Sequence, residues 1–244
     1  MADLLEYALR VLPGLVLLTV VWIALRGPAI ALRITILLLG FILVRDVMTP
    51  LGLWSFGAIG PAVWLRFTDD PAVLLGLAAA SVLLVIVIYR VAPQLRHLVV
   101  WGRADWRSVV TGLVGAAVVV VPFVVAGRFV PLDERGGAVA LSLLPSLFAL
   151  AMAGNLLEEL LFRGYLQGHL AESHSPARTV VLSGLFFAAG HVFLASTVTA
   201  VGVPLLLFTL FEGLVCAEVA RRRGVIAATL THGLAIFFLA SGLI

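Results

Sequence analysis

Charge is scarce in this chain, and lysine is absent from it. Only 12% of the 244 residues are charged, whereas soluble domains carry about 25%. All 16 basic residues are arginines, and no basic run is interleaved with aromatic residues, so the sequence offers no nucleic-acid surface. The single cysteine, Cys216, excludes a disulfide within the chain.

Apolar residues make up 62% of the chain, and the mean hydropathy is +1.17. This composition predicts an all-α integral membrane protein, a polytopic bundle of about eight transmembrane helices in a lipid bilayer. The acidic N-terminus lacks the basic flank of a cleavable signal peptide, so the first apolar run is expected to be a retained helix. The Gly-, Pro- and Trp-containing stretch 51–67 indicates an interfacial or re-entrant loop. Predicted spans fall at 4–25, 29–48, 71–91, 108–127, 138–162, 178–197, 199–220 and 225–243.

Arginines cluster in alternate connections between these spans. Because cytoplasmic loops are enriched in basic residues, the odd-numbered connections are predicted to be cytoplasmic and both termini to face outward. Glu158 and Glu159 then fall near the cytoplasmic end of the fifth span, where His191 and His232 can converge with them under a water-accessible opening. The arginines concerned are Arg26 and Arg33 about the first connection, Arg90, Arg96, Arg103 and Arg107 about the third, Arg163 and Arg178 flanking the fifth, and Arg221, Arg222 and Arg223 in the seventh.

The most informative stretch is Glu158-Glu159-Leu160-Leu161-Phe162-Arg163. A charge in the hydrocarbon region costs about 3 kcal/mol on insertion scales, so three charges in six residues need a reason. They indicate either a functional site or a cytoplasmic helix end at which all three charges meet water and headgroups. Glu159 and Arg163 have the i,i+4 spacing of an ion pair on one helix face. Glu158 is rotated by about 100° from Glu159, which leaves it as the free carboxylate and a candidate general base. Asn155 has the spacing to hydrogen-bond either glutamate.

His191 and His232 each lie inside an apolar span, and Phe187 shares the helix face of His191. Polar residues inside a membrane tend to face the bundle interior and to pair there. Glu212 is a further deep acid, for which we expect a supporting role. Glu158, His191 and His232 have the chemistry of a three-ligand metal site such as a zinc site, but the same groups can activate water without metal, and the sequence leaves this open.

Three motifs together resemble the CPBP family, the CAAX-protease and bacteriocin-processing intramembrane endopeptidases, also called the Abi family. These motifs are Glu158-Glu159-x-x-x-Arg163, Phe187-x-x-x-His191, and a histidine after an Arg-Gly turn, His232. The resemblance covers roughly residues 140–240. It implies an N-terminal domain of unassigned role at 1–135 and a catalytic core at 136–244, in a bacterial plasma membrane with the site toward the cytoplasm.

The resemblance also implies roles for these residues. Glu158 and His191 would activate a water that attacks a peptide carbonyl of a membrane-associated substrate, and His232 would stabilise the oxyanion. Glu159 and Arg163 would support the site. The family pattern continues to an asparagine four residues after the last histidine, where this chain has Ile236. With this departure, either Asn155, a backbone group or Glu212 compensates, or activity is low. A catalytically inactive scaffold or immunity protein is an alternative, and a proton- or ion-coupled transporter is a third hypothesis.

Overall fold

The computed structural model describes residues 2–24, 30–60, 62–103 and 105–243 of the chain. The first predicted connection, including Arg26, lies outside the described residues. Within them, the helices form a bundle with one small hairpin, so the predicted all-α polytopic architecture is confirmed. The helices are α1 (Ala2–Ala24), α2 (Ile30–Asp46), α3 (Pro71–Val91), α4 (Trp106–Gly127), α5 (Leu144–Glu159), α6 (Gln167–Ala171), α7 (Pro176–Ala189), α8 (Val203–Arg223) and α9 (Val225–Ser241).

Six helical segments of the described chain are long and apolar enough to cross a membrane. The predicted count of eight is not confirmed, because α2 and α9 each have only 17 residues. A straight helix of that length covers about 26 Å, less than a hydrocarbon core of about 30 Å. The six segments are Leu5–Ala24, Pro71–Val91, Trp106–Gly127, Leu141–Ala171, Pro176–Val198 and Val203–Arg223.

The fifth segment differs from its prediction in a way that matters for the site. We predicted that it ends at residue 162, with the two glutamates near that end, whereas α5 continues through a π-helical turn, Leu160–Leu166, into α6. The prediction was wrong because Arg163 was interpreted as a flanking charge, while the structure buries it. Glu158 and Glu159 therefore lie near the middle of this segment. π-helical turns inside α-helices often mark functional sites.

The stretch predicted to be an interfacial or re-entrant loop contains a β-hairpin. Strand β1 (Trp54–Ile59) pairs antiparallel with β2 (Ala62–Phe67), with Trp54 opposite Phe67. The hairpin packs on the last turns of α9, where Arg66 Nη1 donates to the carbonyl oxygen of Leu239 at 2.9 Å. The segment is thus not a ninth span, as predicted, but its strands were not foreseen.

The bundle has two distinct ends. At the hairpin end, the Tyr7 hydroxyl on α1 donates to the carbonyl oxygen of Val44 on α2 at 2.8 Å. At the other end, which we call the arginine end, the connection 92–105 packs through its residues 92–103 on the turn between α8 and α9, and Val225 N donates to Val100 O at 2.9 Å. Gly102 and Gly224 both have φ of 84° there, a conformation that favours glycine.

Aspartates fix where two of the membrane helices begin. Asp70 accepts a hydrogen bond from Ala72 N at 2.8 Å at the start of α3, where Pro71 takes the first helical position. Asp105 accepts from Ser108 N at 2.8 Å at the start of α4. Such caps satisfy backbone N–H groups that have no partner within the helix. They place one helix start at each end of the bundle.

Candidate functional site

Four polar side chains from four helical segments meet inside the bundle. Glu158 Oε1 lies 3.7 Å from His191 Nε2, and Glu158 Oε2 lies 4.0 Å from His232 Nε2. Glu212 Oε2 of α8 lies 3.4 Å from the same His232 nitrogen. All four side chains are buried, with at most 7% of any residue exposed. The expected convergence of Glu158, His191 and His232 is therefore present in the structure, with Glu212 directly beside them.

Glu159 and Arg163 form a buried ion pair, as their spacing predicts. Arg163 Nη1 lies 2.9 Å from Glu159 Oε1, and Arg163 Nη2 donates to the carbonyl oxygen of Gly213 at 3.1 Å. The same Glu159 oxygen lies 2.9 Å from His232 Nδ1. Because a carboxylate oxygen accepts, Nδ1 is the protonated ring nitrogen and Nε2 points toward Glu158 and Glu212. The ion pair thereby fixes the orientation of the His232 ring.

Phe187 closes one side of the cluster, in agreement with the face it shares with His191. Its ring centroid lies 4.7 Å from that of His191 and 5.6 Å from that of His232. The Arg163 guanidinium lies 4.1 Å above the same ring, within the range of a cation–π contact. A Cβ on Gly213 would lie 3.0 Å from Phe187 Cδ1. The lack of a side chain at position 213 therefore lets α8 approach Phe187 closely.

Asn155 does not bond to either glutamate. Its side-chain amide donates to the carbonyl oxygen of Ala151 at 2.7 Å, one turn earlier in the same helix. This back-bonding within a helix is a local alternative that short polar side chains often take. Asn155 nevertheless lines the same cavity as Glu158.

Sequence reasoning missed Arg45, the last basic residue of α2. Its Nη1 lies 2.9 Å from His191 Nε2 and 3.7 Å from Glu158 Oε1. His191 Nδ1 is 2.8 Å from the carbonyl oxygen of Phe187 and must donate to it. Arginine can only donate, so His191 Nε2 accepts from Arg45 and the ring is the neutral Nδ1–H tautomer. The signal that the sequence offers for Arg45 is a charged residue near the end of an apolar run.

The Arg45 guanidinium is held by two further bonds. Nε donates to Asp46 Oδ1 at 2.7 Å, and Nη2 donates to the carbonyl oxygen of Gly190 at 2.7 Å. Arg45 and Asp46 are both buried, with 6% and 4% of their surfaces exposed. The predicted N-terminal domain thus supplies a cation directly to the cluster, while the division of the chain at 135/136 stays a prediction.

A cavity of about 390 Å³ extends from the cluster toward the hairpin end. Toward the arginine end the cluster is closed by buried apolar side chains that reach the connection 92–105. The cavity therefore lies on the hairpin side of the cluster, and the cytoplasmic orientation of the site stays a prediction. The cavity is lined by Glu158, His191, Glu212, His232 and Ile236 together with Tyr7, Trp54, Phe56 and Phe67. The closing side chains include Leu95, Leu98, Leu160, Leu161, Phe162 and Tyr165.

The donor set Glu158, His191 and His232 does not fit a metal ion. A zinc ion needs the ring lone pair of a histidine at about 2.0–2.1 Å, but the lone pair of His191 Nε2 already accepts from Arg45. The guanidinium also places a positive charge 3.7 Å from the Glu158 carboxylate. A second group, Glu159, Cys216 and His232, has ligand atoms within 4.8 Å of one another. There the Glu159 carboxylate is already neutralised by Arg163.

The fold and the cluster define a membrane-embedded helical bundle with a buried glutamate–histidine site. A family model described as Type II CAAX prenyl endopeptidase Rce1-like matches residues 140–238. This match confirms the resemblance to the CAAX-protease family over the segment that carries all three motifs. The matched segment excludes α2 and therefore Arg45. Comparisons with curated proteins and with solved structures give no match.

Proposed function

We propose that the protein is an intramembrane endopeptidase that hydrolyses a peptide bond of a membrane-associated protein or peptide. The observation that carries the proposal is Glu158, a buried carboxylate within 4.0 Å of two histidines in a cavity. Glu158 Oε1 accepts no hydrogen bond from any residue that the structure describes. A buried oxygen without such a partner costs about 1–3 kcal/mol, and groups of this kind are expected where function requires them.

In the proposed reaction, Glu158 acts as the general base and His191 positions the water, whose proton replaces the Arg45 N–H at His191 Nε2. The water oxygen bonds to the substrate carbonyl carbon, one water proton passes to the Glu158 carboxylate, and the carbonyl electron pair moves onto oxygen. When the tetrahedral intermediate collapses, the C=O bond re-forms and the C–N bond breaks. Glu158 then gives its proton to the leaving amine nitrogen. The products are a carboxyl and an amine terminus.

His232 is proposed as the electrophile that stabilises the oxyanion. Its Nδ1 donates to Glu159, so the Nε2 position is held toward the cavity beside Glu158 and Glu212. Stabilising the charge that develops in the transition state is commonly the largest contribution in acyl transfer. To donate to the oxyanion, His232 acts in the imidazolium form, in which Nε2 carries a proton as well as Nδ1.

Supporting roles are proposed for four residues. Glu159 and Arg163 orient His232, and Phe187 packs against both rings of the site. Glu212, like Glu158, places a carboxylate beside His232 Nε2. The apolar cavity wall suits the side chains or lipid-linked groups of a substrate that reaches the site through the membrane. A bacterial plasma membrane remains the expected location.

The test compares wild type with Glu158→Gln at matched expression in cells. Glutamine keeps the size of the side chain and removes the base, so new protein termini should appear with wild type and not with the variant. Glu172→Gln is the matched control, because Glu172 is an exposed acid outside the membrane segments. Loss of the termini in both variants, or their persistence in Glu158→Gln, would reject the role of Glu158.

The alternative of a catalytically inactive scaffold or immunity protein has its own outcome in this comparison. This alternative predicts that cells with wild type and cells with Glu158→Gln contain identical protein termini. It also predicts that Glu158→Gln keeps the cellular phenotype of the wild type. Ile236 would then be the feature to pursue, because it removes a donor that the family pattern has.

A further inference from the structure

We propose that Arg45 is a catalytic residue of this site, the oxyanion donor that takes the place of the asparagine missing at Ile236. The inference rests on the proposed hydrolysis. It concerns a residue of α2 that lies outside the segment matched by the family model. Arg45 Nη1 lies between the proposed base and the water-positioning histidine, 3.7 Å from Glu158 Oε1 and 2.9 Å from His191 Nε2.

The hydrogen-bond capacity of Arg45 supports this role. A guanidinium has five N–H donors, and the described bonds use three of them, toward Asp46, Gly190 and His191. The remaining N–H groups belong to Nη1 and Nη2. Arg45 and Ile236 both line the cavity with Glu158. A fixed cation with spare donors beside the proposed base meets the requirement for oxyanion stabilisation.

The hydrogen bonds that hold the Arg45 guanidinium distinguish it from an arginine that only balances a buried charge. Nε and Nη2 are held by Asp46 and by the backbone of Gly190 at 2.7 Å each. These two bonds fix the plane of the guanidinium while Nη1 faces His191. An oxyanion donor must be held in place before the reaction, and this geometry provides that. An arginine that only balanced a buried charge would not need to lie beside both Glu158 and His191, the two groups proposed to activate water.

The test is a rescue experiment on cleavage. Arg45→Gln should lower kcat by about 10²–10³-fold, as loss of one oxyanion donor does elsewhere, with a much smaller change in KM. Adding Ile236→Asn should restore kcat at least tenfold in the Arg45→Gln protein. Ile236→Leu in the same background is the control, since it changes shape without adding a donor. Wild-type kcat in Arg45→Gln, or equal rates with Ile236→Asn and Ile236→Leu, would overturn the proposal.

Arg45→Lys is the second variant to test if Arg45→Gln fails to insert into the membrane. It keeps a positive charge near Glu158 but lacks the planar fork, so kcat should fall at least tenfold and Ile236→Asn should again restore it. A rate that Ile236→Asn leaves unchanged in this background would also overturn the role. Failure of the proposed function itself is distinguishable, because the wild type would then produce no cleavage at all.

A second inference comes from the direction of the cavity. We infer that substrate reaches the site from the non-cytoplasmic side of the membrane. The cavity joins the cluster to the hairpin and to the first turns of α1, whereas apolar side chains close it toward the arginine end. A substrate that arrived from the arginine end would have to displace Phe162 and Tyr165, which are 1% and 0% exposed.

Charge asymmetry identifies the cytoplasmic side. Basic residues near helix ends favour the cytoplasm, and in the described chain they concentrate at the arginine end. The hairpin end is mixed, with basic residues Arg10, Arg66, Arg128 and Arg135 and acidic residues Glu6, Asp69, Asp70, Asp133 and Glu134. The cavity thus opens away from the basic side. At the arginine end lie Arg90, Arg96, Arg103, Arg107, Arg178, Arg221, Arg222 and Arg223.

The test uses single cysteines and a membrane-impermeant maleimide on intact cells. Ser55→Cys at the hairpin should be labelled in intact cells, and Ser173→Cys at the arginine end only after permeabilisation, because both serines are exposed at opposite ends. Wild type is the blank, since Cys216 is fully buried. The reverse labelling pattern would overturn the inference. No cleavage is measured, so the result is independent of the proposed activity.

A cavity probe completes the test. Ser81 lines the cavity and is partly exposed, so Ser81→Cys should react with a small impermeant thiosulfonate added to intact cells. Reaction only in permeabilised cells, or in neither preparation, would show that the cavity has no route to the non-cytoplasmic side and would also overturn the inference.

Discussion

The Nη1 atom of Arg45 lies 2.9 Å from Nε2 of His191, although the two residues are 146 positions apart in the chain. This contact joins α2 to the segment that carries the three sequence motifs. It engages the lone pair of His191 and places a cation beside Glu158. The site therefore includes a residue outside the segment in which all three motifs lie.

The first prediction concerns metal removal. Because Arg45 takes the lone pair of His191 that a metal would need, cleavage should continue at the same rate in a strong chelator. Added zinc should give no increase in rate. The measurement is the cleavage rate of the purified protein before and after chelation, with metal content followed by elemental analysis. Loss of activity on chelation that zinc restores would contradict the account.

The second prediction concerns the buried ion pair between Glu159 and Arg163. Removing one partner of such a pair is destabilising by about 3–5 kcal/mol, because the other charge stays buried. Glu159→Gln and Arg163→Met should each lower the thermal unfolding midpoint strongly, and the double variant should be less destabilised than the sum of the two.

The exposed pair of Glu218 and Arg221 is the control for this cycle, since its side chains are about a third exposed. Pairs in contact with water contribute about 0–1 kcal/mol, so Arg221→Met should change the midpoint little. Additive effects of Glu159→Gln and Arg163→Met would show that the two side chains do not depend on each other.

The third prediction concerns the close contact at the arginine end. A Cβ on Gly102 would collide with the carbonyl oxygen of Arg223, whereas a Cβ on Gly60 would meet nothing within 4 Å. Both glycines have positive φ, so Gly102→Ala and Gly60→Ala carry similar backbone strain. Gly102→Ala should therefore lower the unfolding midpoint much further. Equal midpoints would mean that the connection 92–105 is not packed on the α8–α9 turn as described.

The helical architecture and most residues of the cluster could be predicted from the sequence. Long apolar runs must form helices in a membrane because backbone groups have no water to bond to. The i,i+4 spacing of Glu159 and Arg163 identified their ion pair. Two deep histidines and one carboxylate without an i+4 partner predicted the convergence of Glu158, His191 and His232, which the structure contains.

Other features could not be read from local patterns. Arg163 marks the middle of a segment rather than its end, because its charge is neutralised by Glu159 and bonded to Gly213. Arg45 joins the site through contacts between distant helices, and no short-range spacing encodes them. The direction of the cavity likewise depends on how apolar side chains from several helices pack. Asn155 had the right spacing for the glutamates, but its amide bonds to the backbone instead.

The central claim is tested most directly with purified protein in lipid vesicles. The substrate segment is the one that the comparison of protein termini in cells identifies, and its cleavage is followed by mass spectrometry for wild type, Glu158→Gln and the control Glu172→Gln. The account predicts cleavage at one peptide bond by wild type and Glu172→Gln, and a rate at least 10²-fold lower for Glu158→Gln. Cleavage by Glu158→Gln at the wild-type rate would contradict the assignment of Glu158 as the base.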